Sequence, residues 1–281
     1  MLRHSLGLYS PQSLAEVSHD TGLFIFEQAV IDPMTRSKLP VAGLALLFGA
    51  AIGIAAARAE VAMQDIGPIS IDRTEVTIGA FAQFAQSTGT ITKAEREGGG
   101  LVYTASGWTK MSGWTWRTPY GKPADDQEPS VHISFDEAQA YCVWRGKRLP
   151  TDAEWKLAAY TEARPSPPEP FRTGQSYPFP TGENPEGANC LGDCGTTHPI
   201  GYSALLDRGL GHQKAGTTRA GVNGLFDMGA NVWEWVENGD PSQKGTRGGS
   251  WWYGATQMHI DHIATKPKDT IAVYIGFRCV K

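Results

Sequence analysis

The chain has 281 residues, enough for one large domain or two small ones, and a formal net charge of −4 with mixed signs. No basic stripe runs along it, so nucleic acid is excluded as an expected partner. Its 33 glycines and 18 prolines exceed the usual combined share of ~12%. Many turns and few long helices are therefore expected, and the nine tryptophans suit a loop-rich domain in which each large ring buries much surface.

Residues 1–33 carry mixed charge and no clear pattern, and Met34 is the natural start of the adjoining apolar segment, so 1–33 reads as an extension ahead of the true start. Arg36 and Lys38 precede an uncharged run rich in Ala, Leu and Gly from Leu39 to Ala57, closed by Ala57-Arg58-Ala59. A basic region, an apolar region and an A-x-A site are the three parts of a secretory signal peptide. Residues 34–59 are thus expected to be an export signal, and 60–281 a mature domain in the periplasm or outside the cell. The alternative is an uncleaved anchor, since a run of this length just spans a bilayer; only then is the membrane a partner. An even number of cysteines (Cys142, Cys190, Cys194 and Cys279) favours disulfides over metal ligation in an exported chain.

Residues 68–75 alternate apolar and polar in their first half, as a half-buried strand does. Thr77 is placed to cap a helix from Ile78 to Ser87, with Phe81 and Phe84 on one face. Residues 97–128 combine Gly, Trp, Pro and charge without a period and read as an irregular loop region. Within it, Trp108, Trp114 and Trp116 are either core packing or the lining of a carbohydrate or peptide groove. Val131 to Ile133 reads as a short strand, and Phe135 to Trp144 as a helix with Ala138, Tyr141 and Cys142 on one face. Thr151 to Glu154 has the pattern of a capping box before Trp155, and the prolines from Pro165 to Pro170 end that helix. Residues 171–222 read as non-regular, and Gly248 to Trp252 and Ile271 to Phe277 as strands. Neither a Walker-type phosphate loop nor a Gly-x-Ser-x-Gly elbow occurs.

Five blocks stand out: Ile71 to Thr77, Arg148-Leu149-Pro150-Thr151-Asp152-Ala153-Glu154-Trp155, Gly224 to Trp235, Arg247-Gly248-Gly249-Ser250-Trp251, and Ile275-Gly276-Phe277-Arg278-Cys279. In this order, and across about residues 68–281, they resemble the formylglycine-generating enzyme (sulfatase-modifying factor) family. The resemblance implies a single compact α+β domain, related to C-type lectins, with little regular secondary structure.

That family oxidises a cysteine of a client sulfatase to formylglycine with copper. It uses two cysteines spaced C-x4-C just after the RGGSW block, and a thiolate pair suits soft Cu(I). Laid on this chain, the two positions are Tyr253 and Met258, neither of which forms a thiolate. The resemblance therefore implies the fold and withholds the activity. Two branches of the family also lack the pair: the periplasmic oxidases of pyoverdine maturation, and the NirV-like accessory proteins linked to copper nitrite reductase in denitrification. Trp251 to Ala255 and Val273 to Arg278 look more like the second.

The family also carries structural Ca2+. The matching positions are Gly229, Asn231, Val232 and Glu234 for one site, and Asn189, Cys190 and Asp193 for the other. Asn and Glu oxygens with turn carbonyls are hard ligands of the kind Ca2+ takes; a hydrogen-bonded turn without metal is the alternative. The stretch Met258-His259-Ile260-Asp261-His262 departs from the family. His259, Asp261 and His262 offer N and O atoms for copper or iron, or else form a polar pocket wall, with His198 and His212 as further candidates. The family's counterparts of Cys142 and Cys279 form a disulfide. Cys190 and Cys194 read as a local disulfide or, less simply, a redox pair.

Three functions follow. The first is an exported accessory protein that recognises a protein or peptide client. The second is a metal-dependent oxidase using Tyr253, Met258, His259 and His262. The third is a formylglycine generator that recruits Cys190 and Cys194.

Overall fold

The computed structural model describes residues 61–104, 106–191 and 211–281, all within one compact unit, Ala56–Lys281. The segment 34–59 expected to direct export, Asp193, Cys194 and His198 lie outside the described residues.

The helices are short and begin with side-chain caps. Thr77 accepts the amide of Ala80 at the start of α1 (Ile78–Thr88), and Gly89, in the left-handed region, ends it. Reciprocal capping boxes start the next three: Thr92 with Glu95 for α2 (Lys93–Arg96), Ser134 with Glu137 for α3 (Phe135–Trp144), and Thr151 with Glu154 for α4 (Asp152–Tyr160). The expected helices over 78–87 and 135–144 are therefore present.

Among the described residues the strands are short and fall in three small sheets. β1 (Met63–Ile66) pairs with β2 (Ile69–Asp72), and β3 (Gly99–Thr104) with β4 (Gly107–Ser112), both antiparallel. The largest sheet has the order β7-β6-β5-β8, from β5 (Trp233–Val236), β6 (Gln243–Arg247), β7 (Ala264–Pro267) and β8 (Ile275–Gly276). Within this sheet the β5–β8 pair is parallel and the other two pairs are antiparallel.

Four expectations are corrected. The region 97–128 holds the β3–β4 hairpin, which joins across Tyr103 and Trp108 rather than through a clear apolar alternation. Val131–Ile133 is no strand, because His132 sits at φ +57°. Gly248–Trp252 is no strand either: Gly248 and Gly249 adopt φ of +92° and +78°. A Cβ on Gly248 would lie 2.7 Å from the Met228 carbonyl oxygen, so the turn leaves no room for one. Of Ile271–Phe277 only β8 is regular, and Ala272 makes a single bridge to Leu101.

The main core gathers Phe81, Trp116, Tyr141, Trp235 and Phe277, and a second core gathers Ile71, Trp155, Tyr160, Val236 and Val280. The Cys142–Cys279 disulfide lies within the first, both residues fully buried, and ties α3 to the C-terminus across 137 residues. Trp114 and Trp116 are buried, which settles them as packing; Trp108 is 46% exposed. Among the described residues no helix is long and apolar enough to cross a membrane.

Candidate functional site

The five sequence blocks are bonded to one another. Arg278 donates through Nε and Nη2 to the Glu234 carboxylate (2.7–3.0 Å), and Trp155 donates its indole N–H to the same carboxylate at 2.8 Å. Glu75 accepts from the Asn231 side chain at 2.8 Å and from the Val232 amide at 3.2 Å. Asp72 accepts from Lys147 and from the Cys279 amide. Arg148 forks onto Glu154, the carboxylate of the capping box. Burial, together with the Asp227 and Glu234 carboxylates, pushes Glu75 well above the usual carboxylate range. The turn that delivers these groups has left-handed residues at Asp227, Ala230 and Asn231. Asn and Asp tolerate that conformation, whereas Ala230 carries strain.

This wiring bears on calcium. Both oxygens of Glu234 meet protein donors, and Asn231 Oδ1 accepts from Asn189 Nδ2 (2.9 Å) and from the Gln213 amide (2.8 Å). The set Gly229, Asn231, Val232 and Glu234 thus does not fit Ca2+ in this arrangement, since an ion there would have to displace Arg278. Asn189, expected at a separate site, is brought against Asn231 instead. The set Asn189, Cys190 and Asp193 is incomplete among the described residues.

Tyr253 and Met258 are both packed. Tyr253 is half-buried between Trp233 and Tyr274, at ring separations of 5.7 and 5.9 Å, and burial raises its phenol above the ordinary range. The aromatic contacts continue from Tyr274 to Trp108 and Tyr103 at the surface. Met258 is 1% exposed, clustered with Ala230 and Ala255, and its methyl occupies the space that a Cβ on Gly229 would need. Cys190 is disulfide-bonded, and among the described residues no cysteine is free.

Beside Met258 opens a cavity of about 590 Å³ lined by Phe179, Pro185, Ala255, Thr256, His259, Asp261 and His262. His259 packs edge-on against Phe179, and its Nδ1 accepts the Asp261 amide at 3.3 Å. His262 lies 5.6 Å from the Trp233 ring, and its Nε2 is shielded from solvent without a hydrogen-bond partner. Burial and the positive charges of Arg247 and Lys266 hold the His262 imidazole below its ordinary range. The three side chains thus share a wall. Even so, among the described residues no three His, Cys, Asp or Glu side chains are arranged to hold a metal ion, and copper or iron does not fit this constellation as it stands.

His212 lies elsewhere. It bonds to Glu128 through Nε2 (2.8 Å) and to the Tyr120 hydroxyl through Nδ1 (3.1 Å), at a cavity of about 400 Å³. Sequence reasoning missed Tyr120 and Glu128, because they lie 92 and 84 residues away from His212.

A family model, the sulfatase-modifying factor enzyme 1-like domain, matches residues 32–281. The chain belongs to this family. Within the family it is 27% identical to the formylglycine-generating enzyme of Thermomonospora curvata, over 76% of this chain and 82% of that one. It is 28% identical to the inactive Cα-formylglycine-generating enzyme 2 of Bos taurus, over 76% and 77%. The family thus includes members named as active and as inactive enzymes on one fold, so membership alone does not assign an activity. Among solved structures, PvdO from Pseudomonas aeruginosa aligns with a TM-score of 0.51 at 18% identity, covering 75% of this chain and 79% of that one, a likeness of fold alone.

Proposed function

We propose that this family member is an exported accessory or maturation protein that recognises a client polypeptide and makes no formylglycine through a thiolate pair. The observation that carries this reading is the packing at the two positions where the family places its cysteines. There Tyr253 sits between Trp233 and Tyr274, and Met258 is 1% exposed. A thioether and a phenol held in apolar surroundings supply no thiolate for Cu(I). Recruiting Cys190 and Cys194 instead is disfavoured because Cys190 is already oxidised in a disulfide. The resemblance to the NirV-like branch makes copper nitrite reductase the client to try first. The segment 34–59 would deliver the chain to the periplasm, cleaved after Ala59 or left as an anchor. The cavity beside Met258 is the face assigned to the client.

Two measurements test this on the exported protein. Incubated with a CxPxR sulfatase peptide, copper and O2, it is expected to yield no aldehyde; aldehyde formation overturns the reading. Binding to copper nitrite reductase, followed by titration calorimetry, should weaken by about tenfold in a His259→Ala, His262→Ala variant, the loss of one good interface contact. Stoichiometric copper or iron that disappears in that variant, together with O2 consumption, would instead support a metal-dependent oxidase of the pyoverdine-maturation type.

A further inference from the structure

The segment from Met258 to His262 is tied down at alternate carbonyls. Tyr160, the last residue of α4, donates its hydroxyl to the Met258 carbonyl at 3.1 Å. Arg247, the last residue of β6, donates through Nη1 to the carbonyls of Ile260 (3.2 Å) and His262 (2.5 Å). The other edge of the same guanidinium, Nε and Nη2, forks onto Asp152, the first residue of α4, at 2.6 and 2.9 Å. Ile260 in turn donates its amide to the Pro178 carbonyl at 2.9 Å. Tyr160 is 1% exposed and the Arg247 side chain 5%.

Both ends of one helix therefore hold one short irregular segment, through a hydroxyl and a bridged guanidinium. The three anchored carbonyls belong to residues 258, 260 and 262, while the side chains of His259, Asp261 and His262 line the cavity. A buried guanidinium is a poor choice for stability alone. Its desolvation offsets most of the attraction, and apolar residues of similar volume serve as well or better. What it supplies here is geometry: a planar donor set that meets a carboxylate on one edge and two carbonyls on another.

We propose that Tyr160, Arg247 and Asp152 are positioning residues, which fix the backbone from 258 to 262 so that the imidazoles of His259 and His262 are set before any ligand arrives. The inference rests on the reading of this cavity as the working face. It deepens that reading by making the wall a pre-formed element whose binding requires no loop ordering.

The test uses the whole protein in two variants, Tyr160→Phe and Arg247→Lys. The first removes one hydroxyl and nothing else; the second keeps the charge and loses the planar donor set. Near-ultraviolet circular dichroism checks that each is folded, and Tyr160→Phe keeps the test available should Arg247→Lys fail to fold. Imidazole NMR across pH then follows His259 and His262 without ligand, and diethyl pyrocarbonate, which acylates neutral imidazole, reports their access by mass spectrometry.

In both variants the acylation of His262 is expected to rise by about tenfold, with its titration moving up toward the ordinary histidine range as the wall loosens. Asp152→Asn should do the same to a lesser extent, because Arg247 keeps its carbonyl contacts. Unchanged titration and unchanged acylation in folded Tyr160→Phe overturn the proposal. Client binding is read separately in the His259→Ala, His262→Ala variant. If the client binds that variant normally while His262 responds as expected to Tyr160→Phe, the cavity reading fails and the positioning role stands.

Discussion

The network around Arg278 and the cavity wall from Tyr253 to His262 are built from neighbouring stretches of the same family pattern, yet they use it in opposite ways. In the network, residues from four blocks meet as buried partners: Asp72 and Glu75 from the first, Trp155 from the second, Glu234 from the third and Arg278 from the last; Arg247 of the remaining block pairs beside them with the half-buried Asp152. The wall is built differently. Beyond the buried Ala255 and Met258 most side chains are partly exposed, the backbone is irregular after a single 3-10 turn (Ala255–Met258), and its shape is held by Tyr160 and Arg247 from outside. The motifs that identify the family are therefore largely the ones that hold the fold.

The sharpest way to break this comparison is at Arg278. Arg278→Met leaves Glu234 buried without its guanidinium, beside Glu75 and Asp227, and should cost about 3–5 kcal/mol of unfolding free energy in urea. The double variant Arg278→Met, Glu234→Gln should recover part of the loss, since the carboxylate that paired directly with the guanidinium is then neutral, while Glu75 and Asp227 keep the recovery incomplete. A loss no larger than that of a surface substitution would mean the network is not what holds the blocks together.

His132 offers a second test, through pH. It is fully buried, its Nε2 lies 2.9 Å from the Pro119 carbonyl, and burial pushes its imidazole down to about 4. An unfolded histidine titrates near 6.5. As pH falls below that value the unfolded chain gains a proton that the folded one refuses, so stability present above ~6.5 is lost as pH falls toward ~4. The loss attributable to His132 approaches about 3 kcal/mol across that window. Glu75, raised by burial, titrates with the opposite sign, so the effect must be read as a difference. Urea curves of His132→Asn, which tolerates the left-handed backbone, should decline less with acid than those of the parent. Parallel declines would remove His132 from the account.

A smaller effect is expected at the seam between the two regions. Gly229→Ala puts a methyl against the Met258 methyl, and such overpacking typically costs about 1–3 kcal/mol. Combined with Met258→Ala, which opens space, the pair should be less destabilising than the sum of the two by thermal denaturation. Additive losses would show that Met258 does not pack on Gly229.

Legibility in the sequence divides along the same line. Helices with capping boxes are readable because the signal is local: Thr151 and Glu154 lie three apart and bond to each other. The family and fold are readable because five blocks recur in order. Strands are misread where conformation overrides composition, as at His132 and Gly248, whose positive φ no pattern of hydrophobicity announces. Residues 259, 261 and 262 stand out in the sequence and do line one cavity, although not as a metal set. The groups that shape that wall give no such signal, because Tyr160 lies 98 residues from Met258, and Asp152 lies 95 from Arg247. Each has a ready local role as the last or first residue of a helix.

The smallest expected effect is the one that best separates the two regions. The His259 side chain is 39% exposed, and its ring makes one edge contact with Phe179. Truncating a partly exposed side chain that fills no core should change unfolding free energy by no more than about 0.5 kcal/mol. His259→Ala should therefore melt with the parent, while Arg278→Met falls far below it. If the wall works on a client, the ranking reverses in the binding assay: His259→Ala weakens capture and Arg278→Met, at temperatures where it stays folded, does not. A His259→Ala variant that loses stability on the scale of Arg278→Met would show the wall to be part of the scaffold, and the contrast between the two regions would be lost.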